Sequence, residues 1–187
     1  MLSLKQLQEW IEEIEEITAD VAVSLTILEK EKDIGTNGII GGKEDTFQDH
    51  INRQLMFTAT VQLCKLFVNS DIERRNLRKL FNRLTYEPYH NYLKRQLRQN
   101  RGKKGKASTK KDLIRKISPF VQQIIDRKEL ILKLKTLRDR KYVHADPARE
   151  LPKVTLSELE ELLSLSQKVV VKIKEIVCYT EGHRESQ

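Results

Sequence analysis

The residues of this sequence best suited to chemistry lie close together near the end of a long apolar segment. The string Leu137–Asp146 reads LRDRKYVHAD. Histidine titrates near neutral pH, so His144 can give or take a proton. Arginine keeps its charge and can hold two phosphate oxygens at once, so Arg138 can stabilise negative charge on a phosphate. Asp139, directly after Arg138, can orient either group.

The spacing of these residues limits how they can meet. On a straight helix of about 3.6 residues per turn, Arg138 and His144 point well apart, whereas Arg140 and His144 share a face. Arg138 and His144 converge only if the helix bends or frays near Tyr142, or if a second subunit completes the site. Pro147 favours an end to the helix here, because the residue before a proline avoids the α conformation. Arg140 is therefore an alternative to Arg138.

A structural role accounts for the same residue types. Cations suit the carboxyl end of a helix, where they offset the dipole and bond the last carbonyls. Arg138 and His144 would then stabilise a helix end and carry no chemistry. Composition and spacing leave both interpretations open.

Positive charge is concentrated in one segment. The chain has a formal net charge of +8, and Lys94–Lys116 holds eleven bases with Asp112 as its one acid. That segment carries +10, which leaves −2 for the remainder of the chain. Within it, Arg101–Thr109 is rich in Lys and Gly and low in apolar residues. We therefore predict a mobile insert at about 94–116 and a polyanionic partner, most simply nucleic acid. Lys103, Lys104 and Lys106 are its candidate contacts to an RNA backbone.

Apolar periodicity predicts helices and no strand. The main helices are expected at 3–32, 46–69, 118–142 and 155–179, with a short helix around Leu77–Leu84 and a glycine-rich break at 33–45. Capping boxes begin the first and last helices, at Ser3–Gln6 and Thr155–Glu158. Ser118–Pro119 resembles an N-cap followed by proline in the first turn. The sequence thus predicts an all-α fold, with residues 1–187 forming a single domain.

The first predicted helix carries a narrow apolar seam with a heptad-like spacing. Its positions are Leu4, Leu7, Ile11, Ile14, Thr18, Val21, Leu25 and Leu28. Such a seam packs against another helix, either within the chain or across a dimer.

Several classes of protein are disfavoured. No apolar run approaches the roughly 20 residues that span a bilayer, and no signal peptide is recognisable, so a cytoplasmic protein without membrane contact is expected. Cys64 and Cys178 are expected to be free thiols. No Cys/His cluster has ligand spacing, so neither a metal site nor a cofactor is expected.

The string Leu137–Asp146 resembles the signature of HEPN-domain proteins, in which an arginine and a polar residue precede a histidine. It is most similar to the AbiU-type abortive-infection branch, where Leu-Arg-Asp-basic-basic-aromatic-small-His strings occur. The order of helices is similar too, over about residues 1–85 and 118–180. The basic insert has no counterpart in this resemblance.

The resemblance implies a HEPN-like bundle of four main helices that acts as a homodimer, with the two signature helices facing each other. It implies a metal-independent endoribonuclease in phage defence or a toxin–antitoxin system, with an antitoxin protein as a further partner. Arg138, Asp139 and His144 would be catalytic, and Arg140 and Lys141 would help to bind RNA. Two alternatives stay open: a catalytically inactive HEPN-fold protein that binds nucleic acid or a partner, and a helical scaffold whose N-terminal heptads mediate assembly.

Overall fold

The computed structural model describes residues 3–33, 47–69, 76–86, 91, 110–143 and 152–177. Within these ranges every regular element is helical and none is a strand, which confirms the all-α prediction. The helices are α1 (Leu4–Asp33), α2 (Phe47–Phe67), α3 (Leu77–Thr85), α4 (Lys110–Asp126), α5 (Lys128–Leu137) and α6 (Leu156–Val177), with a π-helical turn at Arg138–Val143 between α5 and α6.

Both predicted capping boxes are present. At the start of α1, the Ser3 N–H donates to Gln6 Oε1 (2.8 Å) and the Gln6 N–H donates to Ser3 Oγ (3.1 Å). At the start of α6, the Thr155 N–H donates to Glu158 Oε2 (2.8 Å) and the Glu158 N–H donates to Thr155 Oγ1 (3.2 Å). Each box satisfies N–H groups that a helix start leaves without an internal acceptor.

The heptad seam of α1 packs inside the chain. Its positions from Leu7 to Leu28 are all buried, and α1 contacts both α2 and α6. Its one polar position, Thr18, donates to the Ile14 carbonyl (2.7 Å) and lies 3.5 Å from the Ser166 hydroxyl of α6. The open question about this seam is thereby settled: it forms the bundle core and is not available as a dimer interface.

The core is continuous across the bundle. Ala59, Leu63, Cys64 and Leu66 make α2 a central helix, and Cys64 is a buried free thiol as expected. Cys178 lies outside the described residues, as does the predicted glycine-rich break at 33–45 apart from Asp33, which ends α1. None of the described helices has the length and apolar content required to cross a membrane.

The prediction that a helix begins at Ser118–Pro119 is wrong. Helix α4 starts at Lys110 and contains Pro119 in its interior. Leu113 and Ile117 are buried, and Phe120 and Ile124 continue the same stripe on the other side of the proline. The free energy gained by burying that stripe is larger than the cost of the hydrogen bond that proline cannot make. Lys110–Lys116, the last part of the basic segment, is therefore helical, and residues 94–109 lie outside the described residues.

The single helix predicted over 118–142 is also divided. Arg127, with φ −97° and ψ 16°, separates α4 from α5. Its guanidinium Nη1 donates to the Gln123 carbonyl (2.9 Å), and its Nη2 lies 2.8 Å from Glu161 Oε1 on α6. Arg127 thus ties the junction between α4 and α5 to α6.

Candidate functional site

Helix α5 positions the predicted signature residues. Leu130, Leu134 and Leu137 are buried on its inner face, and the helix packs against α2. On the other side, Lys133 Nζ lies 2.8 Å from Glu158 Oε1, which joins α5 to the capping box of α6. Apolar burial and this ion pair together hold the end of α5 in place.

Arg138 lies where α5 leaves α-helical geometry. Arg138 is still in the αR region, and its N–H is shared between the carbonyls of Leu134 and Lys135. From Arg138 to Val143 the backbone forms a π-helical turn, in which hydrogen bonds span one residue more than in an α-helix. Such turns are rare, and they are frequent at functional sites. Side chains within this turn are therefore rotated relative to their positions on a straight α-helix.

Arg138 and Asp139 meet directly. The Nε and Nη2 atoms of Arg138 each lie 2.8 Å from Asp139 Oδ1, so two donors of the guanidinium converge on one carboxylate oxygen. The Arg138 side chain is only 19% exposed and the Asp139 side chain 35%. Because partial burial weakens competition from water, this charge-assisted pair restricts the orientation of the guanidinium.

A third member of the site, Lys135, was not predicted from the sequence. Lys135 Nζ lies 3.5 Å from Asp139 Oδ2, so the two carboxylate oxygens face two different cations. The signal was present in the sequence, because a Lys and an Asp four residues apart share one face of a helix. The described cluster of Lys135, Arg138 and Asp139 carries one net positive charge.

Asp139 is held in its ionised form. Partial burial acts to raise the pKa of its carboxyl group, but hydrogen bonds and charge from Arg138 and Lys135 outweigh burial and lower the pKa below the ordinary 3.8. Asp139 is therefore an anion at neutral pH that can orient Arg138. It is not suited to donate a proton there.

The other predicted site residues are described only in part. Arg140 lies in the π turn with its side chain half-buried. The backbone of Lys141 belongs to the same turn, but its side chain lies outside the described part of the structure, as does His144. Lys103, Lys104 and Lys106 also fall outside it. Of the predicted residues, the described structure brings together Arg138 and Asp139.

Comparison of the chain with protein-family models, with curated proteins and with solved structures found no match in any of the three. Among the residues that the structure describes, no group of three or more His, Cys, Asp or Glu side chains is placed to hold a metal ion. The functional interpretation therefore depends on the signature string and on the geometry of the Arg138–Asp139 pair.

Proposed function

We propose that this protein is a metal-independent endoribonuclease of the HEPN type that cleaves RNA through the substrate's own 2′-OH. One observation supports the proposal above the others. The Arg-Asp pair of the signature string lies at the start of a π-helical turn, with Arg138 held by Asp139 in a largely buried position. The charged phosphorus transition state requires a cation that is held in place to stabilise it, and the histidine that follows in the sequence can transfer the protons.

The reaction needs one proton to leave and one to arrive. A base takes the proton of the 2′-OH, the 2′ oxygen forms a bond to phosphorus, and the bond from phosphorus to the 5′ oxygen breaks. The leaving 5′ oxygen takes up a proton, and the other product ends in a 2′,3′-cyclic phosphate. We assign proton transfer to His144, charge stabilisation on the phosphate oxygens to Arg138, and orientation of Arg138 to Asp139.

RNA binding and assembly belong to the same proposal. Lys103, Lys104, Lys106, Arg140 and Lys141 would contact the RNA backbone. The protein would act in the cytoplasm as a homodimer whose two signature helices face each other, in phage defence or a toxin–antitoxin system with an antitoxin protein as partner. The α1 seam lies inside the bundle, so the dimer requires another surface.

A second candidate function is favoured by the same ion pair. Two donors of Arg138 are already directed at Asp139, so a phosphate must compete with a carboxylate for this guanidinium. If the carboxylate keeps Arg138, the protein is a catalytically inactive HEPN-fold protein that binds RNA or a protein partner.

The test incubates the purified full-length protein with mixed RNA in EDTA. Wild type should cleave RNA and leave 2′,3′-cyclic phosphate ends, and DNA should stay intact because it lacks the 2′-OH. His144→Ala and Arg138→Ala should each abolish detectable cleavage, because positioned acid–base catalysis is worth about 10²–10⁴-fold and a charge-stabilising donor about 10²–10³-fold. Arg140→Ala, on the same turn, should weaken RNA binding but still cleave bound RNA.

The outcomes separate the candidates. Cleavage of DNA excludes this mechanism. Full activity in Arg138→Ala with loss in Arg140→Ala moves charge stabilisation to Arg140. Intact RNA binding with no cleavage by the wild type supports the inactive binding protein.

A further inference from the structure

Lys135 belongs to the described cluster at the signature site, yet the proposed mechanism uses only Arg138 and Asp139 of that cluster. The Lys135 side chain is 48% exposed, whereas the Arg138 side chain is 19% exposed. Its Nζ lies 3.5 Å from Asp139 Oδ2, which is longer than a usual N–H···O hydrogen bond. A lysine ammonium has three N–H donors, so Lys135 keeps donors that can bind another anion.

Lys133, two residues earlier on α5, has a different task. Its Nζ donates to Glu158 Oε1 at 2.8 Å, and this ion pair joins α5 to α6. The Lys133 side chain is 46% exposed, almost as much as that of Lys135. The two lysines lie on different sides of α5, because consecutive residues of an α-helix are rotated by about 100°. Lys133 therefore ties two helices together, whereas the ion pair of Lys135 lies at the signature site.

The backbone and Asp139 together fix Lys135 beside Arg138. The two residues are three positions apart on one helix face, and the Lys135 carbonyl accepts the N–H of Arg138. Asp139 Oδ1 faces Arg138, and Asp139 Oδ2 faces Lys135, so the carboxylate lies between the two cations. A single phosphate that touched both cations would also approach this carboxylate, which repels it. Two phosphates, one on each cation, avoid that repulsion.

The net charge of the cluster depends on Lys135. Arg138 and Asp139 together are neutral, because the lowered pKa of Asp139 keeps its carboxyl group ionised at neutral pH. Lys135 adds the one positive charge that is left over. It therefore supplies the attraction for a polyanion that the Arg138–Asp139 pair by itself lacks.

We propose that Lys135 binds RNA at the phosphate next to the one on which Arg138 acts, and so positions the RNA chain across the signature site. This role rests on the proposed function, since it gives Lys135 a substrate contact in that site. Lys135 takes no part in proton transfer or in stabilising the transition state. It contacts the RNA equally before and during the reaction, so its contribution lies in substrate binding.

The first experiment measures binding of the full-length protein to a single-stranded RNA oligonucleotide whose 2′-hydroxyls are all methylated, so that it cannot be cleaved through them. Lys135→Gln should bind about tenfold more weakly than wild type, because it loses a charged hydrogen-bond donor. The slope of the logarithm of the binding constant against the logarithm of salt concentration should become shallower by about 0.7, the value for one phosphate contact on a single strand.

Two further variants control for charge. Lys135→Arg keeps the positive charge, so it should keep the wild-type slope. Lys133→Gln is the matched control, because it removes the same charge from an equally exposed position on α5 and also breaks an ion pair with a carboxylate. It should bind the methylated RNA as wild type does.

The second experiment separates a direct contact from an effect through Asp139. In an Asp139→Asn background, Lys135→Gln should weaken binding by the same factor as in wild type. In cleavage of unmodified RNA, Lys135→Gln should raise KM about tenfold with kcat unchanged, whereas Arg138→Ala loses kcat. Thermal unfolding should show a change in Tm of about 2 °C or less, because the Lys135–Asp139 pair is half-exposed.

Wild-type affinity and slope in Lys135→Gln would refute the contact, as would an equal loss of binding in Lys133→Gln. Loss of the effect in the Asp139→Asn background would show that Lys135 acts only by offsetting the carboxylate. A fall in kcat at unchanged KM would contradict a role in binding alone, and a wild type that does not bind RNA would exclude the contact altogether. Failure of the proposed function gives a different result: no cleavage of unmodified RNA by the wild type, with binding of the methylated RNA that still depends on Lys135.

Discussion

Asp139→Asn is the substitution that most directly tests the described site. Asparagine keeps the shape of the side chain and one acceptor oxygen, but it removes the charge that faces Arg138 and Lys135. The structure predicts a measurable loss of stability, because the Arg138 side chain is only 19% exposed.

The size of the loss follows from the contacts. Arg138 stays charged in the variant, so the substitution removes the attraction between two unit charges, which for a partly exposed pair contributes about 1 kcal/mol. The Lys135 contact is half-exposed and adds a few tenths, as is usual for surface pairs four residues apart. The variant should therefore lose about 1–2 kcal/mol, which in a chain of this size lowers Tm by about 2–8 °C.

Thermal unfolding followed by circular dichroism at pH 7 and again near pH 3 measures this effect. The pKa of Asp139 is lowered in the folded protein, so its stabilising contribution is fully present above the ordinary value of 3.8 and is lost as pH falls through the lower folded-state pKa. The difference in Tm between wild type and variant should therefore narrow at low pH. Asp126→Asn is the matched control, since that exposed carboxylate accepts a hydrogen bond from Gln122 (2.8 Å) and faces no cation among its described contacts.

The second measurement is the ribonuclease activity of the Asp139→Asn variant. If Asp139 orients Arg138 for catalysis, the variant should lose kcat while RNA binds as well or better, because the phosphate no longer competes with a carboxylate. An unchanged Tm at pH 7, or a difference that stays constant down to pH 3, would refute the stabilising role of the pair. Unchanged kcat would refute the orienting role.

Pro119→Ala should raise the free energy of unfolding by about 1–2 kcal/mol, measured by denaturant unfolding. Alanine restores a helix hydrogen bond in the interior of α4, and this gain exceeds the entropy that proline removes from the unfolded chain. A loss of stability would instead indicate a helix that starts at this proline. Replacing Lys103, Lys104 and Lys106 with serine should weaken RNA binding. The slope of the logarithm of the binding constant against the logarithm of salt concentration should become shallower by about 0.7 per lost phosphate contact. An unchanged slope would show that these lysines do not contact the RNA backbone.

Local signals in the sequence located most of the helices. The capping boxes at Ser3 and Thr155 mark the starts of α1 and α6 because a cap is formed by residues three positions apart. The apolar spacing of α1, α2 and α6 predicted their lengths closely, since one buried face repeats about every 3.6 residues. Asp139 was expected to orient either Arg138 or His144, and the described structure pairs it with Arg138.

The tertiary structure decided what depends on distant partners. Pro119 is a local signal for a helix start, yet the burial of Leu113 and Ile117 against the bundle carries α4 through it. The seam of α1 was compatible with a second chain or with this one, and only the position of α2 and α6 resolved it. The break at Arg127 forms where its guanidinium reaches Glu161, and the π turn at Arg138 follows where α5 packs on α2. The periodicity of apolar residues predicts which side chains are buried. Contacts between residues far apart in the chain determine which partners bury them and which backbone changes this burial requires.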